Sequence, residues 1–304
     1  MKHVISITQF KDKNQLKQLF DRAKEFSQMP REKYPKPLAH TTVATVFYEP
    51  STRTRLSFET AIQNLGANLI STENAGQFSS AVKGETIEDS VIILSGYAQA
   101  IIMRHPEVGS AERAANASLV PVINAGDGAG EHPTQALLDG YTIYDNKGKL
   151  DGLKIGLVGD LLNGRTIHSL IQLLSLYDVE FYCAAPDSLQ LPEKYIQLVE
   201  KNGAKVTLLD SWDTMLDKID VLYMTRVQKE RFEAIEDYNA VKDSFILDSQ
   251  IMKKLNKDAI VMHPLPRVNE ITIDVDKDPR AKYFEEARNG LYVRMALLEM
   301  IFSN

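Results

Sequence analysis

The stretch TVATVFYEPSTRTRLSFETAIQNLG, from Thr42 to Gly66, contains a complete strand, turn and helix. Thr42–Tyr48 is apolar or β-branched almost without a break, the pattern of a strand buried on both faces. A short polar turn follows. Thr52–Leu65 then keeps Phe58, Ala61, Ile62 and Leu65 on one helical face and stops before Gly66, a residue suited to closing a helix. The same rhythm recurs outward. Strands are predicted at Ala100–Met103, Leu119–Ile123, Leu153–Val158, Val179–Ala184, Val206–Leu209, Val221–Met224 and Ala259–Met262. Helical patterns lie between them, one opened by a capping box at Thr86 to Asp89 and running to Ala98. This alternation predicts an α/β protein of two domains, each a parallel sheet flanked by helices.

A chain of 304 residues suits two domains. The polar segment Tyr144–Gly152 carries two glycines near the midpoint and is the natural boundary, giving domains over 1–145 and 150–283. The helical pattern Phe284–Ile301, within 284–304, is expected to pack back on the first domain, since chain ends often lie close together. Lys and Arg total 35 against 41 Asp and Glu, a net charge of −6, which argues against nucleic-acid or membrane-surface binding. The single cysteine, Cys183, lies in an apolar strand pattern; it reads as a buried thiol in a reducing compartment. The start MKHVISITQF lacks a signal-peptide pattern, and Val91–Met103 is too short to span a bilayer, so a cytoplasmic protein is expected.

In open parallel sheets ligands bind beyond the carboxyl ends of the strands. Those points carry Ser51-Thr52-Arg53-Thr54-Arg55, Arg104-His105-Pro106, a Gly-rich turn leading to His132-Pro133-Thr134-Gln135, Gly164-Arg165-Thr166, Arg226-Val227-Gln228 and His263-Pro264-Leu265-Pro266. A net-acidic chain that places Arg53, Arg104, Arg165 and Arg226 at strand ends is building local anion sites. Ser51–Thr54 suits a phosphate: free backbone amides and the helix dipole meet three hydroxyls and a guanidinium that can fork onto phosphate oxygens. His132 and Gln135, three apart at a helix start, can contact one small polar ligand. The histidines lack zinc-ligand spacing, which argues against a metal site. Gly159 to Thr166 has P-loop spacing, but Arg165 stands where the phosphate-cradling lysine belongs, which argues against nucleotide binding.

Ser51–Arg55, Arg104–Pro106 and His132–Gln135 together resemble the carbamoyl-phosphate signature of the carbamoyltransferases. In the second half, Gly164–Thr166, Arg226–Gln228 and His263–Pro266 resemble the aspartate-accepting branch; the Ser-Met-Gly motif and the cysteine in place of Leu265, typical of the ornithine branch, are absent. The resemblance runs from about Ile5 to Ile301. It implies transfer of the carbamoyl group of carbamoyl phosphate to the amino group of L-aspartate, an early step of pyrimidine biosynthesis, with the ligands in a cleft at the strand ends. It implies Ser51, Thr52, Arg53, Thr54 and Arg104 on the phosphate, with Thr54, Arg104 and His132 on the carbamoyl oxygen. Gln135 and the carbonyls of Leu265 and Pro266 would hold the carbamoyl NH2. Lys83, Arg165, Thr166, Arg226 and Gln228 would hold aspartate, Ser79 and Lys83 would also meet carbamoyl phosphate, and Arg53, Thr54, Lys83, Arg104 and His132 would be catalytic. Ser79 and Lys83, on the polar loop Glu73–Gly84, would reach into a neighbouring subunit of a homotrimer. Glu49 would tie Arg165 and Arg231 together on domain closure, and Asn269 stands where relatives often have Asp. The resemblance implies neither metal nor organic cofactor, and it is compatible with a regulatory chain as a further partner. Another amine acceptor, or a non-catalytic phosphate-ligand binding protein, remains the alternative.

Overall fold

Val43 pairs with Ala100 on one side and with Leu69 on the other, both in parallel, in a computed structural model that describes residues 2–78 and 80–303. The chain divides into two compact units: the first takes the chain up to Tyr141 and again from Arg288, the second is Thr142–Ala287.

The first unit is built on β1 (Thr42–Phe47), β2 (Asn68–Glu73), β3 (Ala100–His105) and β4 (Val122–Asp127), in the spatial order β2-β1-β3-β4. Its helices are α1 (Lys13–Gln28), α2 (Thr52–Asn64), the short α3 (Ala75–Phe78), α4 (Ile87–Ser95), α5 (Ser110–Ala117) and α6 (Pro133–Lys147), the last counted with the second unit from Thr142 onward. Helices on both faces explain why β1 and the first four residues of β3 are largely apolar: Val43, Ala44, Phe47, Ile101 and Ile102 are buried. α1 buries Leu16, Leu19, Phe20, Ala23 and Phe26, an amphipathic stripe, and starts where Asp12 accepts the Asn14 amide at 2.8 Å.

The second unit holds β5 (Leu153–Val158), β6 (Val179–Ala184), β7 (Lys205–Leu209), β8 (Val221–Met224) and β9 (Ile260–Met262), all parallel, in the order β7-β6-β5-β8-β9. Its helices are α7 (Arg165–Leu174), α8 (Glu193–Lys201), α9 (Ile235–Val241) and α10 (Ser249–Lys254). Val158, Leu222, Met224, Val261 and Tyr283 join one buried cluster. Cys183 is buried on β6, and loss of solvation pushes its thiol up to about 12. The last helix, α11 (Tyr283–Phe302), belongs from Arg288 onward to the first unit.

Several elements differ from the expectations above. β2 has no counterpart among the predicted strands: an edge strand buries little, so Asn68–Glu73 has no need of an apolar run. The strand predicted at Leu119–Ile123 begins at Val122 and continues to Asp127. Leu119 is 75% exposed, and its amide and that of Val120 bond to the Ser95 and Ser118 hydroxyls instead of to a ladder. The strand's far end is polar yet buried, because Asn124 donates to the Ile5 carbonyl at 2.9 Å. The helix expected to reach Ala98 stops at Ser95, with Gly96 as its cap, although Thr86 does accept the Asp89 amide at 3.1 Å. The polar loop Glu73–Gly84 is not structureless: it contains α3 and a 3-10 turn at Ser80–Lys83. In the boundary segment, residues up to Lys147 are still helical. Among the described residues no helix is long and apolar enough to cross a membrane, and no His, Cys, Asp and Glu group could hold a metal.

Candidate active site

Strand order decides where the chemistry gathers. In the first sheet the chain runs outward from β1 to β2, then returns to the other side of β1 as β3. Connections diverge at that switch point and leave a crevice beyond the strand ends. The segment after β1 and the segment after β3 therefore open on the same place. In the second sheet the same reversal lies between β5 and β8, where Gly159–Thr166 and Arg226–Gln228 follow.

On the first unit, Ser51 caps α2 in an extended conformation, yet its side chain makes no capping hydrogen bond. Its hydroxyl and the unbonded first-turn amides of α2 are thus open to an anion. Arg53 keeps much of its surface in solvent; desolvation first, and the like charge of Arg104 second, lower its pKa. Two positive groups close enough to disfavour one another are stabilised by a shared anion. Thr54 is buried, and its Oγ1 lies 3.4 Å from Nε2 of buried His132. Arg104 is held by Glu49, with Nε at 2.7 Å and a second nitrogen at 2.6 Å from Oε1. Arg55 turns away to Glu73 at 3.0 Å. Gln135 donates its Nε2 to buried Asp139 at 2.9 Å. A carboxylate only accepts, so the amide oxygen of Gln135 is left for a ligand N–H.

His132 depends on the turn after β4. Asp127 accepts the Gly109 amide at 3.0 Å and the Glu131 amide at 2.7 Å, while Glu131 accepts the Ser6 hydroxyl at 2.7 Å and the Ile7 amide at 2.8 Å. Gly128 has φ +52°, and a Cβ there would run into the Pro106 carbonyl. Only glycine fits this position.

On the second unit, α7 begins at Arg165, with Thr166 beside it. Asp160, fully buried, accepts the Asn163 amide at 2.9 Å and the Gln228 amide at 3.4 Å. Gln228 in turn donates to the Asn163 carbonyl at 3.0 Å, so the loops after β5 and β8 are tied together. Burial raises the Asp160 pKa, against its hydrogen bonds from Asn163 and Gln228. Arg226 is paired with Glu230, which raises its pKa.

After β9, Leu265 has φ +53° and precedes a cis peptide bond to Pro266. The Leu265 amide donates to His263 Nδ1 at 2.8 Å, which leaves Nε2 to carry the proton and donate to Glu270 at 2.8 Å. Glu270 also accepts the amides of Val268 and Asn269 at 3.0 and 3.1 Å. Burial pushes its pKa up, but the His263 and backbone hydrogen bonds outweigh that and hold it low. Asn269 donates its side chain to Asp243.

The structure thus brings Ser51, Thr52, Arg53, Thr54, Arg104, His132 and Gln135 to the first unit, and Arg165, Thr166, Arg226, Gln228, Leu265 and Pro266 to the second. Lys83 is exposed at the end of its 3-10 turn. Ser79 lies outside the described residues. The supporting carboxylates Asp139, Asp160 and Glu270 are not singled out by sequence reasoning. Their only signal there is an acidic residue in or beside an apolar pattern.

A family model for the aspartate/ornithine carbamoyltransferase carbamoyl-P binding domain matches residues 2–145, and one for the Asp/Orn binding domain matches residues 151–301. The chain belongs to the aspartate/ornithine carbamoyltransferase family. Among the relatives of this carbamoyltransferase is the aspartate carbamoyltransferase catalytic subunit 2 of Shewanella halifaxensis, 47% identical, the match covering 100% of this chain and 96% of that one. Among solved structures, the catalytic subunit of M. jannaschii aspartate transcarbamoylase superposes with a TM-score of 0.92 at 45% identity, covering 100% and 98% of the two chains. The Trypanosoma cruzi aspartate transcarbamoylase, in complex with carbamoyl phosphate and aspartate, gives 0.91 at 36% identity, covering 99% and 96%.

Proposed function

We propose that this carbamoyltransferase moves the carbamoyl group of carbamoyl phosphate to the amino group of L-aspartate, giving N-carbamoyl-L-aspartate and phosphate. The observation that carries the reading is the Thr54–His132 pair, 3.4 Å apart at the start of a helix that also bears Arg53. Hydroxyl and guanidinium on the first turn of α2, with an imidazole from the turn before α6, suit an acyl phosphate. Ser51, Thr52, Arg53 and Arg104 take the phosphate, and Thr54, Arg104 and His132 take the carbamoyl oxygen. The oxygen of Gln135 and the carbonyls of Leu265 and Pro266 take the carbamoyl NH2. Arg165 and Arg226 meet the two carboxylates of aspartate, with Thr166 and Gln228 beside them. The neutral amine attacks the carbamoyl carbon, and donors placed in advance meet the charge that develops on oxygen. Holding both reactants at once supplies much of the remaining acceleration. The departing phosphate accepts the amine proton, so no side-chain nucleophile is required.

The assembly proposed is a homotrimer in which Lys83 and Ser79 serve the next chain's site. In support, α4 and its cap region leave Ile92, Ile93 and Tyr97 about half exposed or more, an apolar face that suits a second copy of the chain. The cytoplasm is the proposed location. An assay with carbamoyl phosphate and aspartate, ornithine or no amine tests the activity. Carbamoylation of aspartate alone is expected, since two arginines repel a cationic side chain. Equal turnover of ornithine would remove the branch assignment, and phosphate binding without transfer would leave a binding protein.

A further inference from the structure

α11 carries one arginine that never reaches solvent. Arg294 is 3% exposed, and its guanidinium lies 4.9 Å from the ring centre of Phe58 on α2. One terminal nitrogen donates to Ser57 Oγ at 3.0 Å and the other to Thr134 Oγ1 at 3.4 Å. Its Nε has no hydrogen-bond partner. A buried cation with so little direct pairing is a costly arrangement and needs a reason. The chain makes room for it: a Cβ at Gly290, one turn earlier, would collide with the same terminal nitrogen.

Its neighbours lead to the phosphate side. Ser57 Oγ accepts from Arg294 and donates to the backbone carbonyls of Arg53 at 2.6 Å and Thr54 at 3.0 Å. Thr134 lies between His132 and Gln135 at the start of α6. Asp139, which attracts Arg294 electrostatically, accepts the Gln135 amide at 2.9 Å. We propose that Arg294 is a positioning residue for carbamoyl-phosphate binding: it sets the first turn of α2 through Ser57 and orients the amide of Gln135 through Asp139. It touches no ligand itself. A positive charge behind the two helix starts also adds to their attraction for a dianion. Burial brings its pKa down to about 10, so it stays charged at neutral pH.

The proposal rests on the carbamoyl-phosphate reading, and its test separates the two. Wild-type activity and calorimetric binding of carbamoyl phosphate come first; failure there would bring down the function reading and this role with it. With an active wild type, Arg294→Met is expected to bind carbamoyl phosphate about tenfold or more weakly. Its aspartate KM, measured at saturating carbamoyl phosphate, should change little. Arg294→Lys should recover part of the affinity. Ser57→Ala, which removes only the relay hydroxyl, should weaken carbamoyl phosphate about three- to tenfold whether or not the arginine variant folds. Full carbamoyl-phosphate affinity in folded Arg294→Met, or in Ser57→Ala, would make Arg294 a packing residue and overturn the role.

Discussion

His168 sits on α7, buried, with its ring stacked on Tyr195 at 4.1 Å between centres. Its Nε2 donates to the Leu161 carbonyl at 2.8 Å, so the neutral tautomer braces the turn from Asp160 to Asn163. Burial is the main force that lowers its pKa from 6.5 to about 4; the bond to Leu161 opposes this and Lys194 adds to it. An unfolded chain takes up this proton near the ordinary value, whereas the folded chain resists down to the lowered one. Stability present above pH 6.5 is therefore lost as the pH falls through the window down to about 4. The loss is about 3 kcal/mol for this one group. His168→Gln keeps a donor for Leu161 without the titration. The difference in urea unfolding free energy between wild type and His168→Gln should shift by that order between neutral and mildly acid pH. A gap that stays constant over the range would mean that His168 is not excluded from protonation.

Among the elements, the turn between β4 and α6 governs His132. Gly128→Ala places a side chain at φ +52° and against the Pro106 carbonyl. It should destabilise the first unit by about 1–3 kcal/mol and weaken carbamoyl phosphate as His132 moves. Urea midpoints and calorimetry measure both, and an unchanged affinity would show that the turn is not what holds His132. Such turns also show how far the chain alone can be read. Buried parallel strands such as Thr42–Phe47 and Val179–Ala184 announce themselves as apolar runs. The arginines and hydroxyls that follow them are legible because ligand residues must sit past strand ends. Edge strand β2 and the polar end of β4 stay hidden, since one buries too little and the other satisfies buried polar groups through Ile5, far away in sequence. The same holds for Arg294, Asp139 and the His263–Glu270 pair. Their work depends on contacts that no local pattern encodes.

At the scale of the whole molecule, the shared site makes the sharpest demand. If Lys83 serves a neighbour, Lys83→Ala and Arg53→Ala should each be nearly inactive alone. Unfolded together and reassembled at equal ratio, they should regain activity. A site is intact when its own chain keeps Arg53 and the donating chain keeps Lys83, which random mixing in a cyclic trimer gives in about one site in four. The recovered rate should approach about a quarter of wild type. No recovery in trimers shown to be mixed would assign Lys83 to its own chain's site, or to none. The return of α11 to the first unit has a further consequence, for synthesis on the ribosome. The strands of that unit all emerge before Thr142, but the part of α11 that carries Arg294 emerges only after the whole of Thr142–Ala287. Nascent domains ordinarily fold in the order they are made. Here the later-made unit is complete first, while the earlier one waits for its last helix. A ribosome that stops before Arg288 releases a chain whose phosphate-side helices lack the cation that braces them.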